Sequence, residues 1–135
     1  MIKPGMTVEY LGELRCEATH LRSGNTLITD APPDNKGRGE AFSPTDLLCT
    51  SLAACMMTMM GITAREKEIP LKKIQVGIEK VMASDPRRVA AIRLAFDFQA
   101  DTFDEKQLAL LKNAAITCPV AKSIHPDIHI ELHWK

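Results

Sequence analysis

The 135-residue sequence lacks an excess of charge of either sign. Lysine and arginine total 17, and aspartate and glutamate also total 17. Its basic residues do not cluster beyond short groups such as the pair Arg87-Arg88. A neutral chain without basic clusters has little electrostatic attraction for nucleic acid or for an anionic membrane. We therefore predict that the protein binds neither.

The sequence also has few cysteines and no obvious targeting segment. The first ten residues lack the apolar core of a secretory signal, and no uninterrupted apolar run reaches the roughly 18 residues of a membrane helix. The four cysteines, Cys16, Cys49, Cys55 and Cys118, contain no C-x-x-C pair. They are too scattered for a secreted disulfide scaffold or a zinc site. We predict a cytoplasmic protein whose cysteines are either core thiols or redox groups.

The length and the 45% hydrophobic content predict a single domain over residues 1–135. Residues 6–32 alternate β-branched and polar residues between turn signals at Gly12 and Gly24, which predicts three short strands. Residues 31–42 are rich in proline, glycine and charge. This segment is either a functional loop or lid, or it is disordered.

A long helix is predicted to begin after this loop. Ser43 is suited to the N-cap, Pro44 to the first helical position, and Asp46 completes a capping-box pattern. The helix that follows is apolar on almost every side, so it needs cover all round. One small domain can hardly supply that cover, and we expect part of it to come from a second subunit.

The second half of the chain predicts two strands, two helices and a last strand. Residues 72–84 and 87–100 form the strands, and their clearest apolar alternation covers residues 92–98. Thr102 and Glu105 resemble a capping box at the start of a helix, and Pro119 begins a shorter helix capped by Thr117 or Cys118. Residues 127–134 complete an α+β fold of order β-β-β-α-β-β-α-α-β.

The cysteines differ in what their positions offer. Cys118, near the first turn of a helix, faces unpaired N–H groups and the positive dipole end, which favour thiolate; alternatively it is a small buried apolar residue. Cys55 lies ~18 Å along the long helix from its cap, so a cation from elsewhere would have to activate it. Cys49 lies ~120° away around the same helix, which disfavours a direct bond to Cys55.

The segments "SPTDLLCTSLAACM" and "CPVAKSI", together with residues 10–32, resemble the OsmC/Ohr family of osmotically inducible and organic-hydroperoxide-resistance proteins. The pattern is that of a divergent OsmC-like branch. The resemblance implies an intertwined homodimer in which the long central helix is buried and packs on antiparallel sheets. It also implies two active sites at the subunit interface.

The resemblance further implies an antioxidant, stress-response enzyme, a thiol-dependent peroxidase that reduces organic hydroperoxides and also hydrogen peroxide. Cys55 matches the attacking cysteine, and Cys118 matches the resolving cysteine that forms a disulfide with it. Arg15, or alternatively Arg22, corresponds to the guanidinium that activates the thiol and binds the peroxide oxygens. No cofactor or metal is expected, and the reductant is an external dithiol, often a lipoyl-bearing protein in relatives.

The sequence departs from the family pattern at Thr45, where better-known peroxidases carry a glutamate that orients the arginine. Asp46 and Glu40 are the possible supporting carboxylates, although the capping role already explains Asp46. The methionines near Cys55 favour core packing or an adaptable apolar pocket. A non-catalytic dimeric binding protein for an apolar ligand and a redox-sensing thiol protein remain alternatives of the same fold.

One metal site can also be considered on the last strand. His129, Glu131 and His133 share one face, but alternating polar residues on a half-exposed strand are usually its solvated face. A zinc site would need further ligands at suitable geometry. We expect no metal here.

Overall fold

The computed structural model describes residues 1–99 and 102–135. It consists of two compact units, Met1–Leu47 and Leu48–Lys135. The single domain over residues 1–135 stays a prediction. The elements are, in chain order, β1 (Met6–Gly12), β2 (Arg15–His20), β3 (Thr26–Asp30), a one-turn 3₁₀ helix (Pro33–Asn35), α1 (Pro44–Glu66), β4 (Gln75–Ala83), β5 (Arg88–Asp97), α2 (Glu105–Ile116), α3 (Pro119–Ser123) and β6 (His129–Trp134).

The first unit contains a three-stranded antiparallel sheet in the order β1-β2-β3. Gly12, with φ +86°, ends β1 at an irregularity in the register. The hairpin between β2 and β3 aligns Arg15 with Asp30. The three predicted strands are therefore present, and their register places a cation opposite a carboxylate at one end of the sheet.

The loop after β3 is folded closely on itself. The Gly39 N–H donates to the Ala31 carbonyl oxygen (3.1 Å), and the Asp30 N–H donates to the Phe42 carbonyl oxygen (3.0 Å). A Cβ atom at Gly37 would stand 1.8 Å from the Ala31 carbonyl oxygen, so this close approach requires glycine. Of the two predicted alternatives, an ordered loop is the one that the structure shows.

Helix α1 begins as predicted. The Ser43 Oγ accepts the Asp46 N–H (3.0 Å), and the Asp46 carboxylate accepts the Ser43 N–H (3.0 Å), which is a complete capping box. Within the second unit, the buried side chains of α1 lie along one face: Cys49, Leu52, Ala53, Met56, Met60 and Ala64. The opposite face is largely exposed, so this chain alone covers only half of the helix.

The expectation that no segment matches a membrane span needs correction. Helix α1 is long and apolar enough to cross a membrane by length and composition, with a mean hydropathy of 1.7. Buried core helices meet the same criterion, and its buried face belongs to the apolar core of the second unit. Packing thus accounts for the apolar residues on the buried face of α1.

The sheet of the second unit has the order β4-β5-β6. Strands β4 and β5 are antiparallel, but β6 runs parallel to β5, so the implied antiparallel sheet is mixed here. The prediction of an alternating apolar face is confirmed, because Ile92, Leu94 and Phe96 are fully buried and Phe98 is nearly so. The Phe96 ring stacks on Trp134 with 4.5 Å between ring centroids.

The predicted cap of α2 was wrong by two residues. Asp104, not Thr102, is the N-cap, and its carboxylate accepts the Gln107 N–H (2.7 Å). The Gln107 side chain completes the box by accepting the Asp104 N–H (3.1 Å). Aspartate is as good an N-cap as threonine, so the sequence offers two overlapping signals. The predicted end of the preceding strand, Ala100, lies outside the described residues.

Candidate functional site

Arg15 and Asp30 form a bidentate ion pair within the first unit. The Arg15 Nε lies 2.7 Å from Asp30 Oδ1, and Nη2 lies 2.9 Å from Asp30 Oδ2. The Asp30 residue is 1% exposed, whereas 26% of the Arg15 side chain is exposed. Two parallel charge-assisted bonds fix the plane of the guanidinium as well as its position.

Glu40 is a second carboxylate on the same guanidinium. Its Oε1 accepts a bond from Arg15 Nη2 at 3.1 Å, and 64% of its side chain is exposed. The Glu40 backbone N–H donates to Asp30 Oδ2 at 3.2 Å. Glu40 therefore lies where the sequence suggested a supporting carboxylate, in contact with Arg15.

These contacts set the charge states of the pair. The pKa of Asp30 is lowered, chiefly by its hydrogen bond from Arg15, which outweighs the opposing effect of desolvation. The pKa of Arg15 is raised, and its bond to Asp30 is again the largest cause. Both groups are consequently charged at neutral pH.

The other candidate residues of the first unit lie elsewhere. The Asp46 carboxylate bonds Ser43 within the capping box, while the Thr45 and Ser43 hydroxyl oxygens lie 3.2 Å apart. Arg22, the alternative guanidinium, is exposed in the turn after β2. Of the two arginines, Arg15 is the one that the structure pairs with buried and exposed carboxylates.

Cys55 and Cys118 meet in the second unit. Cys118 caps α3 and is fully buried, and its Sγ accepts the Ala121 N–H at 3.3 Å. Cys55 lies on α1, is partly buried and packs against the core cluster that contains Cys118, whose pKa it helps to raise. Both thiols are free. Helices distant in sequence thus bring two reduced cysteines together.

Burial dominates the protonation of Cys118. Its pKa is raised first by desolvation and further by the neighbouring Cys55, while the bond from the Ala121 N–H opposes this. The sequence argument that a helix start would favour the Cys118 thiolate is wrong, because α3 has only five residues and the thiol is buried. Cys118 remains a neutral thiol that can donate a hydrogen bond.

Two of the three polar residues of β6, Glu131 and His133, contact each other, and Glu131 also contacts β5. The Glu131 carboxylate contacts His133 Nε2 (2.8 Å) and Arg93 Nε (3.0 Å). The pKa of Glu131 is lowered, most strongly by its bond with His133. Across residues 1–99 and 102–135, no three His, Cys, Asp or Glu side chains are placed to hold a metal ion.

A profile of the OsmC-like protein family matches residues 37–133, which is more than half of the chain. The chain belongs to the OsmC-like protein family. A crystal structure from Psychrobacter arcticus 273-4, of a protein assigned to osmotic stress and detoxification responses, shares 50% identity with it. The match covers 100% of this chain and 98% of that one, with a TM-score of 0.95. No curated protein sequence matches this chain.

More distant structures share the fold of this OsmC-like protein. An organic hydroperoxide resistance protein from Legionella pneumophila is 18% identical, covers 96% of this chain and 94% of its own, and has a TM-score of 0.71. One from Elizabethkingia anophelis is 14% identical over 100% and 96%, with a TM-score of 0.66. These likenesses bear out the α+β, two-sheet prediction, while the homodimer stays a prediction.

Asp30 is the site residue of this OsmC-like protein that the sequence argument missed. A signal was present, because a hairpin turning at residues 21–25 pairs Thr26 with Thr19 and, at the same register, Asp30 with Arg15. The sequence predicts the turn around Gly24, and the register of the β2–β3 hairpin can be extended from it to the strand ends. Extending it would have placed the carboxylate directly opposite Arg15.

Proposed function

We propose that this OsmC-like protein is a thiol-dependent peroxidase that reduces organic hydroperoxides and also hydrogen peroxide. The observation that carries the proposal is that two free cysteines, Cys55 of α1 and Cys118 at the start of α3, pack in the same apolar core. A pair of adjacent thiols, one of them partly exposed, suits a two-cysteine redox cycle.

The proposed reaction has three steps. The Cys55 thiolate attacks one oxygen of ROOH, the O–O bond breaks, and the departing alkoxide takes a proton as alcohol, which leaves a Cys55 sulfenic acid. The Cys118 thiol then attacks that sulfur and water is released as the disulfide forms. An external dithiol, of the lipoyl type in our proposal, reduces the disulfide by thiol exchange.

The protonation of Cys118 fits the resolving role. Because its pKa is raised, Cys118 keeps its proton at neutral pH and waits as a thiol until the sulfenic acid forms. In the second step, the proton of Cys118 leaves with the hydroxide of the sulfenic acid. No cofactor takes part in these steps.

Arg15 is our candidate for the cation that activates the Cys55 thiol and binds the peroxide oxygens. Its contacts within the described residues use Nε and Nη2. The Nη1 group can therefore donate to a peroxide oxygen while the carboxylates hold the rest of the guanidinium. An apolar substrate chain would lie near partly buried residues such as Met57 and Met59.

A homodimer in a reducing cytoplasm is part of the proposal. The exposed face of α1 carries small residues at helical spacing, Ser51, Ala54, Thr58 and Gly61, and a Cβ at Gly61 would meet nothing within 4 Å. A groove of about 530 Å³ with Ile62, Ile69 and Leu71 in its lining adjoins this face. Small residues allow two helices to approach closely, which supports packing of α1 against a second subunit.

The test is to add one equivalent of cumene hydroperoxide to the reduced protein and map the products by peptide mass. We expect a Cys55–Cys118 disulfide, and we expect Cys55→Ser to slow peroxide consumption by on the order of 10³-fold or more. Cys16→Ser is the matched control and should retain the wild-type rate. Unchanged consumption in Cys55→Ser, or no linkage between the two cysteines, would contradict the mechanism.

A further inference from the structure

The Asp30 carboxylate accepts three hydrogen bonds, whereas the Glu40 carboxylate accepts one from Arg15. Asp30 accepts bonds from Arg15 Nε, from Arg15 Nη2 and from the Glu40 backbone N–H. Asp30 is 1% exposed, so these bonds compete little with water. A buried carboxylate with all of these donors is held in one orientation.

The backbone around Asp30 is fixed as well. Asp30 ends β3 in register with Arg15, and its N–H donates to the Phe42 carbonyl oxygen at 3.0 Å. The loop between them folds back at Gly37 and Gly39, where side chains would collide with Ala31 and Pro33. Asp30 is consequently anchored by strand pairing on one side and by a tightly closed loop on the other.

Glu40 holds the same guanidinium much less firmly. It makes one bond to Arg15, at 3.1 Å, and that bond goes to the Nη2 group already bound to Asp30. With 64% of its side chain exposed, the Glu40 carboxylate competes with water for this contact. Its loss leaves the bidentate pair in place.

We propose that Asp30 is the positioning residue that aims Arg15, and that Glu40 is an exchangeable second partner. This inference rests on the proposed peroxidase function, in which Arg15 serves Cys55. Asp30 thus takes over, from β3, the role of the carboxylate that the helix start lacks at Thr45. Fixing Nε and Nη2 restricts the rotation of the guanidinium, so Nη1 points in one direction before substrate arrives.

The experiment compares three carboxylate-to-amide variants of the full-length protein: Asp30→Asn, Glu40→Gln and, as the matched control, exposed Glu9→Gln on β1. Two quantities are measured, the rate constant for peroxide consumption and the pH profile of Cys55 alkylation, which needs no peroxide. We expect Asp30→Asn to slow consumption by roughly 10- to 100-fold and to move the alkylation profile to higher pH. Glu40→Gln should change the rate only a few-fold, and Glu9→Gln should match wild type.

A double-mutant cycle separates positioning from a general effect on folding. If Asp30 acts through Arg15, then Asp30→Asn has no further effect in an Arg15→Ala background. A loss of equal size in both backgrounds would overturn the proposal. Should Asp30→Asn not fold, Arg15→Lys replaces it, because lysine keeps the charge but cannot form the bidentate pair. A wild-type rate and alkylation profile in Arg15→Lys would also overturn the proposal.

The two measurements also separate this inference from the proposed function. Wild-type protein that consumes no peroxide, but whose Cys55 alkylation profile moves in Asp30→Asn, would refute the peroxidase and support the positioning role. Wild-type protein that consumes peroxide, with Asp30→Asn unchanged in both measurements, would support the peroxidase and refute the positioning role.

Discussion

In Met1–Leu47 the candidate site residues Arg15 and Asp30 are charged and paired, whereas in Leu48–Lys135 Cys118 is a neutral thiol buried in an apolar core. Arg15 and Asp30 keep their charges because the attraction between them outweighs the desolvation of each charged group. Cys118 keeps its proton because desolvation by burial outweighs the opposing hydrogen bond from the Ala121 N–H. The ion pair and the buried thiol therefore lie in surroundings of opposite character, one polar and hydrogen-bonded and the other apolar.

Removing a large side chain from the apolar core of the second unit should give the largest change in the free energy of unfolding. Phe96 is fully buried and stacks on Trp134, so Phe96→Ala should lower the free energy of unfolding by about 3–5 kcal/mol. Ile116→Ala is the control, because Ile116 is 50% exposed. Urea unfolding checks both variants, and equal losses would refute the view that the core packing around Phe96 carries this stability.

A smaller effect is expected from the protonation of Cys118. Alkylation at pH 7.5 should modify Cys118 at least about tenfold more slowly than Cys55, because a buried neutral thiol is unreactive. Since its pKa is raised in the folded state, Cys118 stabilises the fold below the unfolded value near pH 8.5. That contribution is lost as the pH rises through the folded value.

Peptide mass spectrometry of the alkylated protein and urea midpoints between pH 7 and 10 measure these two effects. The variant Cys118→Ala should lose the part of the alkaline destabilisation that belongs to this thiol. Equal alkylation rates at Cys55 and Cys118 would show that burial does not keep Cys118 protonated. They would contradict the contrast between this thiol and the charged groups of the first unit.

The smallest effect concerns the acid side and the first unit. The pKa of Asp30 is lowered by Arg15, so the pair contributes stability above the unfolded aspartate value near pH 4. This contribution is lost as the pH falls through the lowered folded value. Urea midpoints at pH 7 and at pH 3 should therefore differ less in Asp30→Asn than in wild type, while Glu9→Gln retains the wild-type difference.

Local patterns in the sequence predicted local structure well. The start of α1 follows from Ser43, Pro44 and Asp46, whose side chains act within one turn of each other. The buried face of β5 follows from simple alternation. The cap of α2 was misplaced because two capping-box signals overlap within residues 102–107, and only the hydrogen bonds of Asp104 decide between them.

Features that depend on residues distant in sequence were harder to predict. Asp30 meets Arg15 through a hairpin register, and the parallel pairing of β6 with β5 depends on a connection through α2 and α3. The protonation of Cys118 was misjudged because helix-start electrostatics can be estimated from sequence, whereas burial cannot. The roles of the two cysteines came from the family resemblance and stay predictions until tested.

The parallel pairing of β6 with β5 also has a consequence for synthesis on the ribosome. Trp134 pairs with Phe96, which precedes it by 38 positions, while every strand pairing of the first unit lies between residues 6 and 30. The first sheet can form while most of the chain is still untranslated. The pairing of β6 with β5, which places Trp134 against Phe96, cannot form until residue 134 has left the exit tunnel. Nascent chains stalled before that point would therefore expose the apolar strand β5 to chaperones.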